Sequence, residues 1–257
     1  MNRRSFVGAL GSFGMLAGAP AEPKRTACYL LQAHYLKAGP QLPALHEFLS
    51  KSFLPALREV HSGPQLFLEA LVAPHIPQLL AIYGFESLDQ IDSVSRSLAR
   101  NDGFQKKLTQ LESGPEPPFE RLDSMLLEAA DYSPEIVVPT APPRAAGRIF
   151  ELRVYHSPSW RQLRALHERF AGPEVEIFQR SGVHPLFYSS TVVGANMPNL
   201  AYLIPFDSLA AREQAWAAFG ADPEWIKVRQ ESVEKYGQIS SIIGISLYRA
   251  TAWSPVR

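Results

Sequence analysis

RIFELRVYHSPSWRQLRALHERF, Arg148 to Phe170, reads as a strand, a short loop and an amphipathic helix. Moved back by 121 positions it falls on ACYLLQAHYLKAGPQLPALHEFL, Ala27 to Leu49, so that Leu45-His46-Glu47 lies on Leu166-His167-Glu168 and Tyr29 on Phe150. The same gapless offset carries Phe85, Ser87 and Leu88 onto Phe206, Ser208 and Leu209, Phe104 onto Trp225, and Ser133-Pro134 onto Ser254-Pro255. A period this long exceeds a solenoid repeat and matches the size of a small domain. The chain is one domain used twice.

Composition bounds what those copies can do. Of 257 residues, 46% are hydrophobic and 19% charged, which is ordinary for globular proteins. The formal net charge is zero and no basic stripe occurs, so nucleic acid is excluded as a main partner, since phosphate neutralisation needs clustered Lys and Arg. Cys28 is the single cysteine, which rules out an internal disulfide and a cysteine metal cluster. Residues 1–25 read as an export signal and leader. Arg3-Arg4 precede a short apolar run from Phe6 to Leu16, and Ala19-Pro20-Ala21 supplies the small residues a signal peptidase reads. This resembles a twin-arginine signal cut after Ala21, giving a periplasmic or secreted protein with no stable membrane span, because the run falls far short of the ~20 residues needed to cross a bilayer. The plainer alternatives are an ordinary secretory signal or a basic start with no export role.

The first copy spans 26–134. Tyr29 to Tyr35 is rich in strand formers, and Gly39-Pro40 opens a helix with the stripe Leu42, Leu45, Leu49 and Phe53, which Pro55 is expected to end or kink. Strands follow at Gln65 to Val72 and Leu79 to Gly84, then a helix opened by Ser87 with Gln90, a second capped by Asn101, and a last strand from Arg121 to Ala129. Ser133 to Arg144 contains prolines 134, 139, 142 and 143, a composition that gives an extended linker, bounded as 135–146 between the copies. The second copy, 147–255, repeats this order, with Ser159 and Gln162 as a capping box, strands at Val183 to Val193 and Leu200 to Pro205, a helix presenting Leu209, Glu213, Trp216 and either Phe219 or Gly220, an Asp222-Pro223 helix start, and a final strand from Gln238 to Ala250. Each copy reads β-α-β-β-α-β with its second helix broken in two. The fold class is α+β: two tandem ferredoxin-like domains. Each sheet has one face free of helices, and the other copy is the obvious cover. The expectation is an intrachain pseudo-dimeric α+β barrel, with a higher oligomer allowed.

Four separated stretches of the second copy, Phe150-Glu151-Leu152-Arg153-Val154-Tyr155, Leu166-His167-Glu168-Arg169-Phe170, Ala215-Trp216-Ala217-Ala218-Phe219 and Asp222-Pro223-Glu224-Trp225, resemble the NIPSNAP domain. The first copy looks like a diverged version that keeps Leu-His-Glu but has Asn101-Asp102-Gly103-Phe104 in place of Asp-Pro-Glu-Trp. The resemblance implies the dimeric α+β-barrel group, which includes small monooxygenases, haem-degrading enzymes and proteins without an assigned reaction. Together with the N-terminal signal, the first expectation is a non-catalytic or ligand-binding exported protein of the NIPSNAP type, binding a small molecule between its sheets without a cofactor or metal. The alternatives are a cofactor-free monooxygenase or isomerase, and a haem-handling protein.

Strand 150–155 alternates, with Phe150, Leu152 and Val154 on one face and Glu151, Arg153 and Tyr155 on the other. If the apolar face packs beneath the helices, the polar face points between the sheets. There Glu151, Arg153 and Tyr155, with Gln32 and His34 from the first copy, are the candidate ligand pocket, lopsided because the charges come from one copy. The plainer reading is a structural ion pair of Glu151 with Arg153 that sets how the sheets dock. His46 and His167, repeated at one position, read as structural histidines at a helix edge. A zinc-protease pattern fails because Ala171 stands where the second histidine would be. His156 and His184 are lone candidates for haem or metal. Trp216, Phe219 and Trp225 read as core, and no phosphate loop, nucleophile elbow or dinucleotide fingerprint occurs.

Overall fold

The computed structural model describes residues 25–137 and 148–257. The stretch read as an export signal and leader, apart from its last residue, and most of the expected linker lie outside them. The first copy contains β1 (Cys28–Tyr35), α1 (Gln41–Phe48), a π-helical turn (Leu49–Phe53), α2 (Leu54–Val60), β2 (Gln65–Val72), β3 (Gln78–Phe85), α3 (Leu88–Ala99), α4 (Asp102–Glu112) and β4 (Arg121–Ala129). The second contains β5 (Ile149–His156), α5 (Trp160–Arg169), a π-helical turn (Phe170–Glu174), α6 (Val175–Arg180), β6 (Phe187–Val193), β7 (Asn199–Phe206), α7 (Leu209–Ala221), α8 (Pro223–Tyr236) and β8 (Ile242–Ala250). Strands β1, β3 and β4 recur as β5, β7 and β8 with both ends displaced by 121 residues, and so does the π-helical turn.

Local signals set most boundaries. Ser87, Asn101, Ser159, Ser208 and Asp222 each accept hydrogen bonds from the first free backbone N–H groups of the helix they open. Pro55 does not end its helix. It sits in the first turn of α2, where the missing N–H is no loss, and the π-helical turn connects α2 to α1. β6 starts at Phe187 rather than Val183, since Pro185 cannot donate to a ladder. In α7 the buried residues are Ala215 and Phe219, and Leu209 is exposed.

The eight strands form one closed antiparallel barrel in the order β1-β3-β2-β8-β5-β7-β6-β4. Two seams join the copies. At one, Leu68 and Ala250 pair across β2 and β8; at the other, Ser189 and Ala129 pair across β6 and β4. Both seams carry a register shift, between Ala70 and Val72 and between Leu126 and Leu127, the device that bends a sheet around a barrel. Closure removes the edges that each copy alone would expose. The segments after β4 and β8 cross to the other copy: Ser133 Oγ accepts from the Tyr188 N–H at 3.0 Å, and Ser254 Oγ accepts from the Phe67 N–H at 3.0 Å.

Three apolar cores result. One fills the barrel and includes Tyr29, Leu68, Phe150, Phe187 and Leu203. The others lie between the sheet and each helical layer, around Leu45, Leu57, Phe67 and Tyr83 in the first copy and around Leu166, Phe170, Phe178 and Tyr202 in the second. Both faces of the sheet are therefore buried over most of the strands, the first halves of β4 and β8 excepted, and this decides where the polar residues of β1 and β5 go.

Candidate ligand cavity

On β5 the alternation is as expected but its sense is reversed. Phe150, Leu152 and Val154 face the barrel interior. Glu151, Arg153 and Tyr155 face the helices. The Glu151 carboxylate is fully buried and takes hydrogen bonds from Arg153, from Arg212 of α7 and from the Trp216 indole N–H at 3.3 Å. Arg153 also donates to the Tyr155 hydroxyl at 2.9 Å, and its guanidinium lies 3.6 Å from the centre of the Trp216 ring. Tyr155 packs edge-on against Phe170 and Tyr202. On β1, Leu30 belongs to the first helical core, so Gln32 and His34 share its outward face. Gln32 reaches Ser124 on the neighbouring strand at 3.5 Å, and His34 is buried edge-on to Phe119 at 5.4 Å.

The five residues predicted to meet between the sheets thus do not meet. Glu151, Arg153 and Tyr155 lie under one helical layer and Gln32 and His34 on the outer face of the other half of the barrel. The physical reason is that the interior of an eight-stranded barrel is narrow, with room for side chains and at most one small ligand, and the side chains come mainly from the apolar face of each strand. The charges go where α7 can neutralise them.

The complementary set lines the space between the sheets. A cavity of about 570 Å³ opens at one end of the barrel. Leu31, Ala33, Leu80, Met125, Leu152 and Val154 form apolar walls, while Tyr35, Gln78, Asp123, His156, Ser246 and Tyr248 add polar groups. Gln78 Nε2 donates to the Tyr248 hydroxyl at 3.2 Å. Burial pushes the Tyr248 phenol up to about 12, so it stays a neutral donor at physiological pH. Gly244 pairs with Val154 and has no side chain to fill the wall; a Cβ built there meets nothing closer than 3.8 Å. The volume suits a small organic molecule. The opposite end of the barrel is packed, with Tyr29 stacked on Phe187 at 4.4 Å between ring centres. His156 is on the cavity wall and His184 lines a different depression, so the two lone histidines are not brought together. The lining residues could have been found by taking the other parity of each strand.

Residues 150–255 match the family model described as NIPSNAP. That stretch, about two fifths of the chain, carries the NIPSNAP match. A NIPSNAP-like domain protein from Burkholderia xenovorans is 22% identical over 43% of this chain and 91% of its own, with a TM-score of 0.37. Over most of the chain the match is to architecture. A proposed monooxygenase from Lactobacillus acidophilus NCFM is similar over 88% of this chain and 94% of its own, at 9% identity and a TM-score of 0.54. An anthrone oxidase-like protein is similar over 89% and 92%, at 12% identity and a TM-score of 0.53. At these identities the likeness is one of fold, the α+β barrel. No match was found among curated proteins.

Proposed function

We propose that the chain is an exported protein that binds a small, mostly apolar molecule between its two sheets, in the cavity lined by Leu31, Leu152, Val154, His156 and Tyr248. The observation that supports this reading is the cavity itself: apolar walls at the open end of an otherwise packed barrel, with few polar groups to orient a ligand. Gly244→Leu fills that space from the wall where an added side chain meets open room. Native mass spectrometry of the purified protein should detect a co-purifying small molecule, or binding of added aromatic compounds, that Gly244→Leu abolishes at an unchanged melting temperature. Equal binding by the variant would remove the cavity from consideration.

A second reading is cofactor-free oxygenation of the bound molecule. It is supported by the imidazole of His156 on the same wall, a base within reach of an acidic C–H or O–H of a ligand, and by the fold shared with the monooxygenase-like proteins. Oxygen consumption with electron-rich phenols, lost in His156→Ala, tests it. Export is tested separately: Arg3-Arg4→Lys-Lys should leave unprocessed protein inside the cell, and the mature chain should begin at Glu22.

A further inference from the structure

A second cleft, about 670 Å³ in volume, lies on the outside of the barrel at the seam between β4 and β6. Three side chains on its wall form a hydrogen-bonded row. Ser190 Oγ of β6 is 2.6 Å from His167 Nε2 of α5, and His167 Nδ1 is 2.7 Å from the hydroxyl of Tyr132, which follows β4 in the other copy. A hydroxyl within reach of an imidazole that is itself oriented by a third group is the arrangement that activates a serine. Neither copy alone has all three parts.

We propose that Ser190 and His167, positioned by Tyr132, form a nucleophilic site that hydrolyses small carboxylic esters. With the imidazole proton on Nδ1, donated to the Tyr132 oxygen, Nε2 is free to accept the Ser190 proton. Ser190 Oγ attacks the ester carbonyl carbon as that proton passes to Nε2. The bond from carbon to the leaving alkoxide then breaks, and the alkoxide takes the proton from Nε2. Water attacks the acyl-serine, giving its proton to Nε2; the acid departs and Ser190 recovers a proton. Ester and water become acid and alcohol, with no oxidant or reductant. Burial holds His167 below the ordinary histidine value, so the imidazole is an unprotonated base at neutral pH. Arg164 and the carboxylates of Glu128, Asp131 and Glu168 also line the cleft.

The repeat supplies an internal contrast. At the equivalent seam, His46 lies between Glu69, 3.1 Å from Nε2, and Trp253, whose indole N–H donates to Nδ1 at 3.2 Å. An indole nitrogen can only donate, so it makes Nδ1 an acceptor and leaves the proton of the neutral ring on Nε2. That is the wrong tautomer for a base, and a carboxylate stands where the nucleophile would be. A bridging histidine is common to both copies; the nucleophile and the tyrosine are found at one seam.

The experiment is labelling of the intact folded chain with a fluorophosphonate, in which a bond forms between Ser190 Oγ and phosphorus, and fluoride leaves. Peptide mass spectrometry should place the adduct on Ser190. Ser190→Ala should abolish it, His167→Gln should slow it ~100-fold or more, and His46→Gln should leave it unchanged. Tyr132→Phe should slow it less and alter its pH profile, as a positioning residue would. The same serine should be acetylated by p-nitrophenyl acetate. No adduct on the folded chain, an adduct formed as fast on the chain unfolded in guanidinium, or labelling indifferent to His167→Gln would overturn the proposal and leave the row as a strut between the copies. The folded-to-unfolded comparison needs no variant, so it stands even where a substitution impairs folding.

Discussion

Glu151 has no solvent exposure, and a carboxylate there is tolerable only because Arg153, Arg212 and Trp216 all donate to it. Arg153→Met should therefore destabilise by ~3–5 kcal/mol, towards the lower end because Arg212 remains. Urea denaturation measures this, and the double variant with Glu151→Gln should lose less than the sum of the two single changes, since the second removes the charge that the first strands. His34 carries a pH dependence. Burial lowers its imidazole to about 4, while the unfolded chain keeps the ordinary value near 6.5. Between those values the unfolded state binds the extra proton, so the contribution is fully present above pH 6.5 and is lost as pH falls towards 4. Melting temperatures across that window should drop less in His34→Phe than in the parent. An equal drop would move the sensitivity elsewhere.

Helix α5 shows how much of an element is written locally. Ser159 caps it, accepting from the N–H groups of Arg161 and Gln162, and Leu163 and Leu166 lie on the buried face that the spacing predicted. Leu166 is fully buried beside Phe170 and Tyr202, and Leu166→Ala should cost ~2–5 kcal/mol in chemical denaturation. A change below ~0.5 kcal/mol is the mark of a surface site and would contradict the packing described. Strand β5 shows where local reading stops. Its alternation separated Phe150, Leu152 and Val154 from Glu151, Arg153 and Tyr155 correctly, but hydropathy alone suggested the reverse assignment to layers, because both layers are dry.

At the scale of the molecule, the two copies share one barrel and each supplies an edge strand at both seams. Residues 148–257 expressed alone would leave β6 and β8 unpaired, with an open apolar sheet face. They should pair with a second copy of themselves and rebuild an eight-stranded barrel, seen as a dimer by light scattering. A folded monomer from that half-chain would mean the seams contribute little. The crossing of Ser133 and Ser254 onto the opposite copy favours the dimer, because each tail satisfies a backbone N–H that its own copy cannot reach.

The sequence by itself determined the repeat, the order of elements, the helix starts and the barrel class. These follow from short-range causes: a capping serine three residues before the N–H it serves, a period of two or 3.6 residues, and an offset of 121 shared by both halves. Only the tertiary structure decided which face of each strand turned inwards, so only it could exchange Gln32, His34, Glu151, Arg153 and Tyr155 for the opposite parity as the lining of the cavity. It alone brought Tyr132 of one copy to His167 and Ser190 of the other. The reason is physical: alternation distinguishes two faces but carries no label for what covers them. When a barrel and a helical layer both exclude water, the choice falls to volume and to the partners available to each charge, Arg212 and Trp216 above all, which lie some sixty residues away along the chain.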